Sequence, residues 1–329
     1  MKAIVCEEYG PPDRVLRLTD VDDPVAGDGQ VLVRVRATSV NPADWHFVRG
    51  EPYLARLSMG LRKPKVPIMG CDLAGTVEAV GPGVTALKPG DEAYGSPFME
   101  GFGAFAERAA VPEDVLVPKP PGLTFEQAAA VPMAGLTALQ GVRDQGRVEA
   151  GQRVLIIGAA GGVGTFAVQI AKALGAEVTG VCSTGKVDLV RSLGADRVVD
   201  YTTDDLDAET AEPYDVVFQV SGTRSPSQCR RLLTRTGTLV PISGDTDRGR
   251  VIGPMSRFIA AKAQSPFVRQ TVRIYTVESK KADLQALTEL IEAGKVSPVI
   301  DRTYPLREVP EALLYIEKGQ ARGKTVITV

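Results

Sequence analysis

The residues most able to do chemistry by their spacing are Gly158-Ala159-Ala160-Gly161-Gly162-Val163-Gly164. They follow the apolar run Val154-Leu155-Ile156-Ile157 and open a stretch with Val163, Phe166, Ala167, Ile170 and Leu174 on one helical face. Ala159, Gly161 and Gly164 make the pattern A-x-G-x-x-G. In a strand-turn-helix unit such small residues tighten the turn, let the main chain approach a pyrophosphate, and let the helix pack closely on the strand. The N–H groups at the helix start then receive the phosphate charge. Ala159, Gly161, Gly162, Val163 and Gly164 are therefore candidate dinucleotide contacts. Glycine-rich turns are common, and it is the flanking strand and helix that make this one specific. About twenty residues further on, an NAD-preferring site carries an Asp or Glu for the ribose hydroxyls. Here the chain reads Ser183-Thr184-Gly185-Lys186. Two hydroxyls and an ammonium suit a ribose 2′-phosphate, so NADPH is the expected cofactor, with Ser183, Thr184 and Lys186 as its contacts. The competing reading is an ordinary turn with a solvated lysine.

Such a loop needs a sheet to hold it. Strand candidates at 154–157, 178–182, 197–199, 215–220, 238–242 and 271–277 alternate with helical stretches, which predicts an α/β domain with a doubly wound parallel sheet. The first third is different. Val31-Leu32-Val33-Arg34-Val35-Arg36-Ala37 and Gly75-Thr76-Val77-Glu78-Ala79-Val80 alternate in period two, broken by Gly27-Asp28-Gly29, Gly81-Pro82-Gly83 and Lys88-Pro89-Gly90-Asp91. This pattern predicts a small, mainly antiparallel β domain. A capping box at Thr124 and Gln127 marks the change of grammar. A helix at 281–293 ends at Gly294, and Thr325-Val326-Ile327-Thr328-Val329 is a strand that could return to the first domain. The expected division is 1–123 with 280–329 for one domain and 124–279 for the other. The segment 271–277 reads as an edge strand, which predicts a homodimer joined through it.

Bulk properties exclude several classes. With 38 basic and 40 acidic side chains in 329 residues, nothing draws the chain generally to nucleic acid or anionic lipid. No run approaches the roughly 18 apolar residues of a membrane span, and the apolar start is too short for a secretory signal. A cytoplasmic protein with a small-molecule substrate is expected. Four cysteines without a C-x-x-C pair give neither a disulfide framework nor a structural zinc site. Arg248, Arg250, Arg257, Lys262, Arg269 and Arg273 form a carboxylate-free stretch. That leaves an RNA-binding or NADPH-sensing protein as the non-enzymatic alternative, without the interleaved aromatics that would strengthen it.

Taken in order, Ser39-Val40-Asn41-Pro42-Ala43-Asp44, Gly70-Cys71-Asp72-Leu73-Ala74-Gly75-Thr76-Val77, Gly103-Ala104-Phe105-Ala106-Glu107, Gly135-Leu136-Thr137-Ala138, the 158–164 loop and Gly323-Lys324-Thr325-Val326 resemble the medium-chain dehydrogenase/reductase superfamily. Within it they are similar to the zinc-independent quinone oxidoreductases related to zeta-crystallin. The resemblance implies a Rossmann domain beside a GroES-like catalytic domain, a homodimer, and hydride transfer from NADPH to a quinone or conjugated carbonyl. An enoyl or alkenal reductase of the same fold is the alternative. Zinc-dependent relatives would carry a Cys where Asn41 stands, a His before the acid where Cys71-Asp72 stands, and a further Cys near Pro132-Met133. No three-ligand zinc constellation survives these changes.

The resemblance also places Asn41 near the nicotinamide as an amide donor, the alternative being a turn residue before Pro42, with Asp44 orienting its neighbours. Thr137, Ser221, Gly222, Ser243 and Gly244 are implied cofactor contacts, Tyr201 flanks the adenosine side, and Lys324 reaches the cofactor from the C-terminal segment. His46, the single histidine, lacks a visible catalytic partner. The basic segment 51–67, with Tyr53, Leu54, Leu57 and Met59, is either a roof over the substrate or a solvated surface helix.

Overall fold

The computed structural model describes residues 1–210, 212–242 and 269–329, which form two units. The first comprises Met1–Leu136, Glu278–Glu292 and Pro298–Val329, and the second Thr137–Val277 with Ala293–Ser297. The helix Phe125–Ala129, capped reciprocally by Thr124 and Gln127, packs on the first unit's sheet. The first unit therefore runs on to Leu136 rather than stopping at 123.

The first unit opens with strands β1 (Lys2–Cys6), β2 (Leu16–Asp20), β3 (Gln30–Val40), β4 (Leu73–Val80), β5 (Glu92–Gly95), β6 (Arg108–Pro112) and β7 (Leu116–Pro118). The alternation in β3 turns Val31, Val33, Val35 and Ala37 inward, each at most 2% exposed. Alternation buries one face of an antiparallel sheet and leaves the other for different packing. β1 and β2 form a separate antiparallel pair.

The second unit contains β8 (Arg153–Ile157), β9 (Glu177–Cys182), β10 (Arg197–Asp200), β11 (Tyr214–Gln219), β12 (Leu233–Pro241) and β13 (Thr271–Val272). All pairings in this sheet are parallel, in the order β10-β9-β8-β11-β12-β13. The order reverses between β8 and β11, the switch point at which such sheets bind ligands. Val154, Leu155 and Ile156 of β8 are fully buried, as a central strand covered on both faces requires. β13 corrects the expected 271–277 strand. Pairing with β12 stops after Val272, and the Tyr275 hydroxyl donates to the Thr137 carbonyl, so this part of the chain is anchored by a side chain rather than a ladder.

The chain then returns to the first unit as β14 (Ile300–Pro305) and β15 (Lys324–Thr328). β15 lies antiparallel to β3, with Thr325 opposite Val40 and Val326 opposite Ser39. The seven-stranded sheet thus has the order β14-β15-β3-β4-β5-β7, with β6 also on β3. Among the described residues no helix is long and apolar enough to cross a membrane.

Candidate active site

The glycine loop leaves β8 with Gly158 at φ 89°, in the left-handed region. A Cβ there would lie 2.2 Å from Ser221 Oγ, which places the second residue after β11 directly against the loop. The N–H groups of Val220 and Ser221 both donate to Ile157 O, at 2.9 and 3.3 Å. Ser221 and Gly222 therefore lie with Ala159, Gly161, Gly162, Val163 and Gly164 at the switch point. The two outer glycines have different tasks. At Gly164 a Cβ would meet Gly158 O at 2.1 Å and Ala159 C at 2.7 Å, so the helix Gly162–Ala173 can reach β8 only without a side chain. At Gly161 the nearest atom to a Cβ is 3.7 Å away, so the position is free of its own fold. No side chain caps this helix, whose first-turn N–H groups lack intrahelical partners. This is a cradle for an anion.

At the end of β9, Ser183 and Lys186 are half-buried and Thr184 is exposed, with Tyr201 63% exposed alongside. The Tyr201 N–H donates to Cys182 O at 3.0 Å. Asp200, directly opposite Cys182 in the parallel register, also lies here. Reading along β9 alone does not reveal this carboxylate. Thr202 donates to Asp200 Oδ1 through its N–H at 3.0 Å and its hydroxyl at 2.7 Å. Hydrogen bonds from Thr184 and Thr202 hold the acid below the usual carboxylate range. Thr137 is buried, its carbonyl accepting from Tyr275. Ser243 and Gly244 lie outside the described residues, as do Arg248, Arg250, Arg257 and Lys262 of the basic stretch.

A buried polar cluster forms in the first unit where β3, β4 and β15 meet. Asn41 follows β3 and caps the helix Pro42–Arg49, with its N–H donating to Asp44 Oδ2 at 2.8 Å. Its side-chain amide is held at both ends: Nδ2 donates to Asp72 Oδ2 at 2.8 Å, and Oδ1 accepts from Lys324 Nζ at 2.5 Å. Among the described residues nothing else engages the second Nδ2 hydrogen. Asp72, immediately before β4, also accepts from Ser39 Oγ at 2.5 Å and, through Oδ1, from Met133 N at 2.6 Å. Lys324 begins β15, so the β3–β15 register delivers its ammonium to Asn41, with Asp72 Oδ2 and Val40 O each at 3.4 Å. The lysine is 3% exposed and Asp72 fully buried. Lys324 is thus neither solvated nor aimed outward. Its three hydrogens have acceptors inside the first unit: Asn41 Oδ1, Asp72 Oδ2 and Val40 O.

Asp72 was not among the candidate residues, although it is the hub of this cluster. The only local signal was a carboxylate set between Cys71 and the apolar run that follows. Asp44, also fully buried, accepts the Cys71 thiol hydrogen at 3.1 Å. Burial pushes its carboxyl up to about 7, against the pull of the bonds from Cys71 and Asn41 and with a further push from Asp72. Burial, then the charge of Asp44, raises the Cys71 thiol well above its usual range. His46 stacks on Trp45 at 3.8 Å and its Nδ1–H donates to Glu51 O at 3.1 Å. Burial lowers its pKa, so the ring is neutral packing. Among the described residues no group of three or more His, Cys, Asp or Glu side chains could hold a metal ion.

The segment 51–67 forms one wall of a pocket, with Met59, Pro64, Lys65 and Val66 facing Met99 and Phe102. Arg56 pins this wall. It lies 4.5 Å from the centres of the Tyr9 and Tyr53 rings and donates to Gly50 O and Arg49 O.

Residues 27–121 match the model for the alcohol dehydrogenase GroES-like domain, and residues 193–327 that for the zinc-binding dehydrogenase. The chain is 34% identical to the mitochondrial NAD(P)H oxidoreductase RTN4IP1 of Bos taurus, over 100% of this chain and 89% of that protein. It is also 34% identical to the chloroplastic NADPH-dependent alkenal/one oxidoreductase of Arabidopsis thaliana, over 99% and 79%. A solved quinone oxidoreductase from Coxiella burnetii superimposes with a TM-score of 0.87 at 32% identity, covering 100% of this chain and 99% of the other.

Proposed function

Because the chain belongs to the medium-chain dehydrogenase/reductase family, in its quinone oxidoreductase group, we propose that it reduces a quinone or an α,β-unsaturated carbonyl with NADPH and without a metal ion. It is an oxidoreductase of the NAD(P)H-dependent kind. The observation that carries the metal-free reading is the donor set around Asp72. One family model bears a zinc-binding description, and these residues do not fit that ion. Asn41 offers an amide already committed at both ends, Cys71 a protonated thiol bonded to Asp44, and Met133 its main-chain N–H toward Asp72. Zinc requires three ligands of thiolate, imidazole or carboxylate type with an open fourth position. The positive charge in this cluster belongs to Lys324.

The cofactor fits. The uncapped helix at Gly161 and Gly162 would hold the pyrophosphate, while Ser183, Thr184 and Lys186 would hold the 2′-phosphate, with Asp200 engaged by threonines. Bound NADPH supplies the hydride. The chain's own part is to stabilise negative charge arriving on the acceptor oxygen. Asn41, fixed by Asp72 and Lys324, presents its remaining N–H without having to reorganise, the condition under which a hydrogen-bond donor lowers a barrier most. Asp72, Ser39 and Lys324 are positioning residues. The assembly we propose is a homodimer through the outer edge of β13. Light scattering should give twice 34.9 kDa at micromolar concentration, and a monomer mass would refute it.

The relative named as an alkenal/one oxidoreductase supports the second acceptor class as directly as the first. One experiment separates the readings: NADPH and NADH oxidation measured with quinones, enones and alkenals, with product analysis, before and after chelation. Turnover with NADPH that survives chelation is expected. Activity lost to chelation and restored by zinc, or preference for NADH, would overturn the corresponding part.

A further inference from the structure

The pocket in the first unit has a volume of about 140 Å³ and is walled mainly by Phe47, Met59, Val66, Met69, Met99 and Phe102. Lys65 is the one charged residue among its described lining. Phe47 and Phe102 meet edge-on at 4.9 Å, and Phe98 braces Phe102 at 5.9 Å with an interplanar angle of 90°, so the aromatic side is interlocked. The lining also holds Met59, Met69 and Met99, and methionine's unbranched, polarisable thioether moulds to a flat ring and makes favourable sulfur–aromatic contacts. Both walls are tied down. Tyr9 donates to Gly60 O at 2.7 Å and Lys65 N to Met59 O at 2.8 Å, while Glu100 and Phe102 each donate to Pro97 O at 3.0 Å.

A dry apolar cavity of roughly 150 Å³ accommodates one benzene ring. Two of the pocket's lining residues are close in the chain to members of the polar cluster. Phe47 follows Asp44 by one turn on the same helix, and Met69 stands two residues before Cys71.

We propose that this pocket receives a ring-sized apolar substituent of the acceptor, so that aryl enones and fused-ring quinones are preferred to small unsubstituted acceptors. This rests on the reductase reading for its kinetic consequence, while the binding itself does not. A tryptophan in place of Met59 fills the pocket. The first readout is the ratio of kcat/KM for 4-phenyl-3-buten-2-one to that for 3-buten-2-one, and likewise for 1,4-naphthoquinone to 1,4-benzoquinone. Met59→Trp should lower both ratios by about tenfold or more, the scale of discrimination by an apolar pocket. The second readout is equilibrium dialysis of 4-phenyl-2-butanone, which has the ring but no reducible double bond. Wild-type protein should retain it and Met59→Trp should bind it about tenfold more weakly. Should Met59→Trp fail to fold, Met99→Trp at the exposed rim carries the same two measurements. Ratios and retention that stay within twofold in the filled variant refute the pocket. Retention that falls in a protein that reduces no acceptor leaves the pocket standing and refutes the reductase reading.

Discussion

Replacing Lys324 with methionine keeps the aliphatic stem and removes only the ammonium at the heart of the polar cluster. In the native protein that ammonium is 3% exposed, 2.5 Å from Asn41 Oδ1 and 3.4 Å from the fully buried carboxylate of Asp72. Removing one partner of a buried ion pair costs about 3 to 5 kcal/mol, since the other charge is left without compensation. Asp72 keeps the donors of Ser39, Asn41 and Met133, so the lower end, ~3 kcal/mol, applies. The single tryptophan, Trp45, is buried on the helix that carries Asp44, and its fluorescence in a urea titration at pH 7 reports on this unit directly. A double-mutant cycle with Asp72→Asn should give a coupling of about 1 to 3 kcal/mol, because neutralising both partners removes the stranded charge. Turnover should fall as well. Without Lys324 the Asn41 amide is held at one end only, and a poorly aimed donor loses part of the 10²- to 10³-fold that such a group typically contributes, so kcat should drop by roughly ten- to a hundredfold. A loss of only about 0.5 kcal/mol, the scale of an ordinary surface substitution, would overturn the assignment of Lys324 to a buried ion pair. A clear loss of stability with kcat unchanged would reduce Lys324 to structure alone.

Three further outcomes are expected. Gly161→Ala should leave thermal stability unchanged but abolish tight NADPH binding, since its methyl meets nothing of the protein within 3.4 Å and can obstruct only the ligand, whereas Gly164→Ala, 2.1 Å from Gly158 O, should lower both; isothermal titration beside thermal melts distinguishes them, and equal behaviour of the two would count against the loop assignment. Lys186→Ala should weaken NADPH about tenfold while barely changing NADH, the loss of one charge-assisted bond reduced by solvent, and dissociation constants that shift together would sink the 2′-phosphate assignment. Asp44, pushed from its ordinary 3.8 to about 7, favours folding in its protonated form, so its contribution is complete below about pH 4 and is lost as pH rises to 7; Asp44→Asn should remove a decline of a few kcal/mol between those values in urea titrations, and parallel curves for the two proteins would disprove it.

The cofactor end was legible because its information is local. A strand, a glycine-rich turn and a helix occupy consecutive positions, and the parallel sheet follows from alternating strands and crossovers. The polar cluster was legible only in part. Asn41 and Asp44 stood out through the resemblance, while Asp72 gains its meaning from Ser39, Met133 and Lys324, which register and packing bring to it from distant parts of the chain. Asp200 was missed for a related reason: a parallel neighbour's last residue lies beside the β9 turn without being near it in sequence. The expected 271–277 strand had the right composition, but composition does not show that Tyr275 would be engaged by Thr137 instead.

The four cysteines take on a different significance beside this chemistry. All are buried, and burial pushes Cys6 and Cys182 up to about 11 and Cys71 well above its usual range. Enones, alkenals and quinones are soft electrophiles that alkylate thiolates rather than thiols, and at pH 7 a thiol of pKa near 11 is ionised to about one part in ten thousand. Cys6, Cys71 and Cys182 therefore offer such acceptors almost no thiolate, and Cys229 is buried. Burial of its cysteines thus works against self-inactivation, the standing hazard for a catalyst of such compounds, and unfolding would remove that protection.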